Sequence, residues 1–276
     1  MQTPELDRRL HLLQEIATQA GKAAMQFYND KLEIEWKGKG NPVTAADHAA
    51  NEVILAALHR HFPGEPVLSE ESQDDMSRLG KEVVWVVDPL DGTKEFIARN
   101  GEFAIMIGMI EGGRPVLGVV NQAATQSVYF GALGLGAWLS KPGGSRALRV
   151  SEIATHSQLR MVASRSHFPA NVERVRRCLG IHEILRSGSV GLKCGLIARG
   201  ECEVYLHPSS KVNLWDSCGP AAILTAAGGV MTDIKGDPLD YGAVDVRHRN
   251  GLVATHGRMH EQIIAAIVQE GVQVDE

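Results

Sequence analysis

Two carboxylates stand at the end of an apolar run, and their spacing is the strongest chemical signal in the chain. Asp88 and Asp91, separated by a proline and a leucine, follow the sequence VVWVV at residues 83–87. A β-branched apolar run of this kind is typical of a buried strand, whose packing fixes the direction of the groups at its end. Two anionic side chains held close together raise each other's pKa unless a cation neutralises them. The simplest such cation is a divalent metal ion.

Two further acidic clusters lie at similar positions in the predicted structure. Glu70 and Glu71 follow a short predicted strand, and Asp216 stands at the start of a predicted helix. Taken singly, the glutamates could be solvated loop residues, and Asp216 could be a helix N-cap. Taken with Asp88 and Asp91, they form the kind of oxygen-ligand set that Mg²⁺ prefers. The chain has no histidine and cysteine set with the spacing of a zinc site.

Hydrophobic spacing predicts the elements that must position these acids. Helical spacing of apolar residues occupies the segments 5–28, 47–62, 170–179, 190–199, 216–227 and about 256–270. Strand patterns occupy the segments 33–36, 66–69, 83–87, 102–110, 115–121, 126–131, 136–139, 160–163, 182–186 and 202–206. Strands dominate the first part, and strands then alternate with helices, which indicates a layered α/β (α+β) fold.

The glycine-rich sequence KPGGS at residues 141–145 predicts a junction between two halves. The N-terminal α+β half, residues 1–144, would carry the main acidic motifs. The C-terminal α/β half, residues 145–276, would supply Asp216 and further binding residues. A metal held by acids from both halves would join them, because the binding free energy then contributes to the stability of the fold.

Composition restricts the class of protein. The 276 residues are 44% hydrophobic and 22% charged, with a formal net charge of −5, so no positive field attracts a nucleic acid polymer. The four cysteines form no CxxC pair, which is typical of reduced thiols in a cytosolic protein. The N-terminus lacks a signal-peptide pattern, and no apolar run approaches the ~20 residues of a membrane span. We therefore expect a soluble, cytoplasmic protein without a transmembrane segment.

The ordered acidic motifs resemble a known group of enzymes. The motifs are PVTAAD at residues 42–47, SEES at 69–72, DPLDGT at 88–93, and WD at 215–216 followed by GG at 228–229. In this order they resemble the inositol monophosphatase superfamily of Mg²⁺-dependent, lithium-sensitive phosphatases, and the resemblance extends from about residue 37 to 240. It implies the α-β-α-β-α sandwich of that superfamily, built from two packed halves.

The resemblance also implies a role for each acidic residue. The implied metal ligands are Glu70, Asp88, Asp91, Asp216 and the carbonyl of Leu90. Thr93 and Asp47 would orient and deprotonate the attacking water, and Glu71 would hold water around a further, weaker ion. Two or three Mg²⁺ ions per site are therefore expected. Such ions suit the hydrolysis of a phosphate monoester, because they lower the pKa of the attacking water and neutralise the leaving oxygen.

Fewer residues indicate the substrate. The pair Lys94-Glu95, the sequence SRSH at residues 164–167, and Gly188-Ser189 with Lys193 resemble the branch that hydrolyses adenosine 3′,5′-bisphosphate. The implied substrate-binding set is Gly92, Lys94, Ser164, His167, Ser189 and Lys193. A second phosphate needs additional cationic or N–H donors, which these residues could supply. Each of the cations could also be an ordinary solvated side chain.

Two other functions remain open at this point. An inositol monophosphatase, or a related phosphatase of small sugar phosphates, would use the same acidic motifs. A catalytically inactive metal-binding protein on the same fold is the non-enzymatic alternative, since a fold does not determine a function. The presence of both Thr93 and Asp47 favours an enzyme, because neither residue is needed for the metal cage alone. The partner is then a small anionic phosphate ester, most simply a nucleotide, and a homodimer is compatible with the sequence.

Overall fold

A computed structural model describes residues 3–28, 34–38, 41–166 and 168–275. In these ranges the α-helices are α1 (Thr3–Met25), α2 (Ala45–His61), α3 (Thr93–Ile97), α4 (Ala170–Cys178), α5 (Val190–Ala198), α6 (Leu214–Ala226) and α7 (His260–Gln269). The β-strands are β1 (Ile34–Gly38), β2 (Asn41–Thr44), β3 (Val67–Ser69), β4 (Val83–Asp91), β5 (Ala104–Glu111), β6 (Arg114–Gln122), β7 (Ser127–Ala132), β8 (Gly136–Lys141), β9 (Gly144–Ala147), β10 (Arg160–Ser164), β11 (Glu183–Ser187), β12 (Val204–His207), β13 (Val230–Thr232) and β14 (Leu252–Thr255).

The first sheet has seven strands in the order β3-β4-β5-β6-β7-β8-β9. Only β3 and β4 run parallel; the other neighbours pair antiparallel. Side chains alternate between its faces, so Ile105 and Ile107 pack with helices α1 and α2, whereas Ala104 and Met106 face the opposite core. Both faces are therefore covered, which explains why β4 and β5 are almost entirely buried and apolar except for Asp88 and the acids at the strand ends.

The second sheet has five strands in the order β11-β10-β12-β14-β13. Strand β10 is parallel to β11 and β12, and β14 is antiparallel to β12 and β13. Met161 on β10 packs with α4 and α7, while the next residue, Val162, packs with α5 and α6. Helices α5 and α6 thus lie between the two sheets. The layers run α-β-α-β-α, which confirms the fold predicted from the sequence.

The predicted division into halves lies close to a hairpin. Residues 141–144 form the tight turn between β8 and β9, where Lys141 pairs with Gly144. The seven-stranded sheet therefore continues to Ala147, and the five-stranded sheet begins at Arg160. A boundary between residues 144 and 145 stays a prediction. Strands of three or four residues show little periodicity; of these, β2, β9, β13 and β14 were not predicted, whereas β3 and β12 were.

The cysteines and the lengths of the helices bear on two of the features discussed from composition. All four cysteines are free; Cys178 is exposed, and Cys194, Cys202 and Cys218 are buried. Burial raises the pKa of the Cys194 and Cys202 thiols to about 12, so they are protonated and inert at neutral pH. No helix among the described residues is long and apolar enough to cross a membrane.

Glycines bring helix α6 unusually close to the first sheet. A Cβ on Gly108 of β5 would lie 2.6 Å from the backbone nitrogen of Gly219, and a Cβ on Gly118 of β6 would overlap the Gly219 carbonyl oxygen. Only a residue without a side chain fits at these positions, so the helix backbone rests directly on the sheet. This contact sets the position of the helix that carries Asp216.

Replacing Gly118 with alanine tests this contact. We expect Gly118→Ala to lower the free energy of unfolding by about 1–3 kcal/mol, because the added methyl group forces α6 away from β6. Urea denaturation at neutral pH measures the change. Gly242→Ala is the matched control, since the nearest atom to its Cβ is at 3.5 Å. Equal stability of Gly118→Ala and the control would show that the close approach does not constrain α6.

Candidate metal centre

Strand β4 continues through the acidic motif instead of ending before it. Asp88 pairs with Met106 and Asp91 with Ala104, and the register shifts between them at Pro89-Leu90. Proline has no N–H to give to a ladder, so this irregularity is the physical consequence of its position. The Leu90 N–H donates to Asp88 Oδ1 at 3.0 Å. Gly92 follows with φ of 94°, a left-handed conformation that glycine adopts without strain, and is the N-cap of α3.

Asp216 reaches this corner from helix α6. The helix begins at Leu214 with Asn213 as its N-cap, so the alternative reading of Asp216 as the N-cap is wrong. Asp216 is the third helical residue, and its Oδ2 accepts the Asn213 N–H at 2.6 Å in a capping box. A carboxylate has two oxygens, so this bond leaves one for another partner. Oxygens of Asp88, Asp91 and Asp216 all lie within 4.8 Å of one another.

The burial of these acids makes their charges costly. Asp88 is only 1% exposed. Burial raises its pKa well above the ordinary value, and the negative charges of Glu70, Asp91 and Asp216 raise it further. The pKa of Asp216 is raised in the same way by burial and then by Asp91 and Glu70. Since a hard divalent cation binds carboxylate oxygens and relieves this repulsion, the residues fit a Mg²⁺ site.

Glu70 and Glu71 lie at the same edge of the sheet. The Glu70 N–H donates to the Val87 carbonyl oxygen at 3.1 Å, which extends the pairing of β3 with β4 to the residue before Asp88. The Ser69 hydroxyl donates to Asn51 Oδ1 on α2 at 2.7 Å and fixes the end of β3. Parallel neighbours end at the same edge, which explains why acids far apart in the sequence meet here.

Asp47 and Thr93 form a hydrogen-bonded pair beside the acidic cluster. Asp47 is the third residue of α2, and its Oδ2 accepts the N–H and hydroxyl of Thr44 at 2.8 and 2.7 Å in a second capping box. The Thr93 hydroxyl donates to Asp47 Oδ1 at 3.1 Å and lies 3.3 Å from the Leu90 carbonyl oxygen. Burial raises the pKa of Asp47; the hydrogen bonds from Thr44 oppose this shift, and the charge of Glu71 adds to it.

Asp91 is held by the start of helix α5, which lies between the two sheets. Its Oδ2 accepts the Ser189 hydroxyl at 2.5 Å and the Gly191 N–H at 3.2 Å. The Ser189 hydroxyl oxygen also accepts the Leu192 N–H at 3.2 Å and caps the helix. Ser189 was predicted to bind substrate, and the structure pairs its hydroxyl with Asp91; substrate contact by this residue stays a prediction.

Lys193 does not lie on a solvent-facing side of α5. It is 2% exposed, its ammonium donates to the Gly188 carbonyl oxygen, and Nζ lies 5.0 Å from the centre of the Tyr205 ring. Burial lowers the pKa of Lys193, while the nearby charges of Asp91 and Glu95 oppose the shift. The side chain thus places a buried cation next to the acidic cluster. A direct contact with substrate stays a prediction.

The remaining predicted substrate residues differ in their surroundings. Lys94 is exposed on α3, and Ser164 ends β10 in a partly buried position. His167 lies outside the described residues. Arg165 forms a bidentate ion pair with Glu102, with 2.6 Å between Nε and Oε2.

Glu102 was missed by sequence reasoning. Its carbonyl oxygen accepts the Ser189 N–H at 3.1 Å, and its carboxylate pairs with Arg165, so it links the start of α5 to the segment after β10. No local sequence signal identifies it, because its partners are far along the chain. Thr44 and Asn213 were also missed, although each stands three residues before its aspartate, which is capping-box spacing and a readable signal.

Comparison with known proteins identifies the family. The profile described as the Inositol monophosphatase family matches residues 5–271, and the chain belongs to this family. A 3′(2′),5′-bisphosphate nucleotidase CysQ from Escherichia coli K12 is 39% identical over 230 residues, which cover 82% of this chain and 91% of the relative. The corresponding CysQ protein from Salmonella typhimurium is 40% identical over 232 residues, with the same coverage.

Solved structures agree with this assignment. CysQ from Bacteroides thetaiotaomicron superposes with a TM-score of 0.76 at 29% identity, covering 91% of this chain and 97% of that one. The extragenic suppressor protein suhB from Bartonella henselae superposes with a TM-score of 0.81 over 94% of this chain and 98% of that one. The latter is only 22% identical and therefore supports the fold alone.

The cost of burying Asp88 predicts an effect on stability. In metal-free protein at pH 8, we expect Asp88→Asn to raise the free energy of unfolding by about 1–3 kcal/mol, the usual cost of a poorly compensated buried polar group. Asp88 has a higher pKa in the native state than in the unfolded state. Its contribution to stability therefore falls as the pH rises, and the gain should shrink towards pH 4. Urea denaturation with a chelator present measures it.

An exposed aspartate supplies the control for this variant. Asp245 accepts hydrogen bonds from the Arg247 N–H and the Arg249 side chain, which lower its pKa, so Asp245→Asn should give no gain in stability. Added Mg²⁺ should reverse the order of wild type and Asp88→Asn, because only the wild type retains the full ligand set. A metal-free Asp88→Asn protein less stable than wild type at pH 8 would contradict the assigned repulsion.

Proposed function

We propose that this protein is a Mg²⁺-dependent phosphatase that hydrolyses the 3′-phosphate of adenosine 3′,5′-bisphosphate to give AMP and phosphate. The observation that carries the proposal is the convergence of Asp88, Asp91 and Asp216 within 4.8 Å in a member of the Inositol monophosphatase family. The nucleotide is proposed because the CysQ relatives are named as 3′(2′),5′-bisphosphate nucleotidases. We place the reaction in the cytoplasm, in the removal of a by-product of sulfate assimilation.

The acidic residues would hold two or three Mg²⁺ ions. The proposed ligands are Glu70, Asp88, Asp91, Asp216 and the carbonyl oxygen of Leu90, with Glu71 beside a weaker ion. Bound metal would lower the pKa of a water molecule and neutralise the leaving oxygen of the ester. Hydrogen bonds orient two of these carboxylates before any metal binds. Ser189 and Gly191 orient Asp91, and the N–H of Asn213 at the start of α6 orients Asp216.

Thr93 and Asp47 would act on the attacking water. The Thr93 hydroxyl gives its hydrogen bond to Asp47 Oδ1, so its oxygen is left to accept a hydrogen bond from water. The water proton would pass to the Thr93 oxygen as the Thr93 proton passes to Asp47. The raised pKa of Asp47 suits a proton acceptor, because a general base works best when its pKa approaches the working pH.

The substrate would lie against the exposed side of this corner. Gly92 and Lys94 stand at the start of α3, Ser164 ends β10, and His167 follows three residues later in the sequence. We assign to this set the recognition of the nucleotide and its second phosphate. Lys193 would contribute a positive charge near Asp91, from the buried side of the site. All of the proposed site residues come from one chain, and a homodimer is proposed only as an assembly state.

A panel of phosphate esters tests the proposed substrate. With saturating Mg²⁺, we expect kcat/KM for adenosine 3′,5′-bisphosphate to exceed that for inositol 1-phosphate by at least about 100-fold. Inositol 1-phosphate lacks the second phosphate, so the residues that bind this phosphate would be left without partners, which costs binding free energy in the transition state. Fructose 1,6-bisphosphate and histidinol phosphate complete the panel. Release of inorganic phosphate is the measurement, with a chelator as the blank.

Two variants make the panel diagnostic. Thr93→Val keeps the volume of the side chain and should lower kcat by about 10²–10⁴-fold through loss of the proton path. Thr225→Val, on the exposed side of α6, is the control and should leave kcat unchanged.

A preference of the wild type for inositol 1-phosphate would reject the nucleotidase proposal in favour of an inositol monophosphatase. No chelator-sensitive activity on any ester would favour the metal-binding protein.

A further inference from the structure

A long connector joins the last two strands of the second sheet. Residues 233–251, between β13 and β14, contain neither helix nor strand, and we call this segment the β13–β14 connector. Irregular connections of more than about 12–15 residues are uncommon in compact domains and usually have a function. This one returns to the start of α6. The Leu214 N–H donates to the Val246 carbonyl oxygen, and the His248 N–H donates to the Val212 carbonyl oxygen, each at 2.8 Å.

A buried hydrogen-bond network joins the connector to α6. Ser217 Oγ lies 2.7 Å from His248 Nε2 and accepts the Tyr241 hydroxyl at 3.1 Å. The Tyr241 and His248 rings are in edge contact, with 5.4 Å between their centres. All three residues are buried. Burial lowers the pKa of His248 to about 4, so its ring is neutral at physiological pH and bonds Ser217 without adding a charge.

The network lies directly behind a residue of the acidic cluster. Ser217 follows Asp216, and successive helical side chains diverge by about 100° around the axis. Asp216 therefore turns towards Asp88 and Asp91, while Ser217 turns into the interior. The Ser217 hydroxyl also lies 3.3 Å from the Leu214 carbonyl oxygen, in the first turn of the helix. A shift of Ser217 would rotate or tilt this turn and move the Asp216 carboxylate with it.

A second contact links the same connector to the segment that follows Glu71. The buried Arg78 guanidinium donates to the carbonyl oxygens of Ala243 and Val244 at 2.8 and 2.9 Å. Its Nε also bonds Asp74 Oδ2 at 2.9 Å. The connector therefore fastens both the helix that carries Asp216 and the loop that leaves Glu70 and Glu71. Neither contact uses a group that could touch the metal or the substrate.

We propose that Tyr241 and His248 are positioning residues of the metal centre, which act through Ser217 to hold Asp216 in ligand geometry. This inference rests on the proposed function only in that the acidic cluster binds a metal. Residues that orient a metal ligand without touching the metal usually affect the metal affinity, and their mutation lowers it. The connector would thus set how tightly the centre holds its ion, without contributing a ligand.

Direct binding of Mn²⁺ to the metal-free protein tests the proposal. Free Mn²⁺ is measured by electron paramagnetic resonance for the wild type and for the variants Tyr241→Phe and His248→Leu. Each variant should raise Kd by about tenfold, as expected for loss of a partner behind a metal ligand. His248→Gln should restore most of the affinity, because its amide nitrogen can occupy the place of Nε2. Tyr241→Phe removes one oxygen and keeps the ring, so it decides the test if His248→Leu does not fold.

A matched histidine separates positioning from general stability. His260 also bonds two hydroxyl groups, those of Thr232 and Thr255, at 3.1 and 3.0 Å in the second sheet. His260→Leu should lower the melting temperature and leave the Kd for Mn²⁺ unchanged.

In a kinetic assay, the Mg²⁺ concentration for half-maximal activity should rise in Tyr241→Phe, while KM for the ester at saturating Mg²⁺ stays constant.

The outcomes separate this inference from the proposed function. If the wild type binds Mn²⁺ and both connector variants bind it equally well, the inference is rejected and the metal centre stands. An equal loss of affinity in His260→Leu would also reject it, because the effect would then reflect stability alone. If the wild type binds no Mn²⁺, the metal centre and the inference both fail.

Discussion

Three carboxylates meet within 4.8 Å at the end of a buried strand, and Asp88 among them has almost no contact with water. Like charges in such a place oppose folding unless neighbouring dipoles or a bound cation compensate for them. The surrounding architecture can be understood as the means of holding them there. Strand β4 supplies Asp88 and Asp91, and glycines let α6 approach the sheet closely enough to add Asp216.

The same local device recurs around the site. Asp47 and Asp216 each occupy the third position of a helix and accept hydrogen bonds at its N-terminus. Asp91 receives the hydroxyl and N–H groups at the start of a third helix, α5. The N-termini of α2, α5 and α6 thus present positive dipole ends to the acids. This arrangement partly compensates the negative charge and fixes the direction of each carboxylate before any ligand binds.

Much of this site could be predicted from the sequence. The motif at residues 88–93 lies at the end of a strongly apolar strand, so its position followed from local pattern alone. The family resemblance implied that Glu70 and Asp216 lie at the same corner, and the structure brings Asp216 together with Asp88 and Asp91. The five-layer fold also agrees with the resemblance. Capping-box spacing was a further readable signal for Asp47 and Asp216; it went unused, and the N-cap considered as an alternative for Asp216 proved to be Asn213.

The parts that could not be predicted depend on contacts between distant segments. A lysine on a helix is exposed by default, and only the position of α5 between two sheets buries Lys193. The bond from Ser189 to Asp91, the pair of Glu102 with Arg165, and the network around Ser217 each join segments with no common sequence signal. Their formation is decided by tertiary packing, which single-sequence patterns do not record.

Anomalous diffraction from wild-type crystals soaked in Mn²⁺ tests the central claim most directly. The account predicts a strong anomalous peak within coordination distance of carboxylate oxygens from Asp88, Asp91 and Asp216 together. Such a peak would join ligands from strand β4 and from helix α6 in one centre. The absence of a peak between these side chains, in crystals that bind Mn²⁺ elsewhere, would contradict the account.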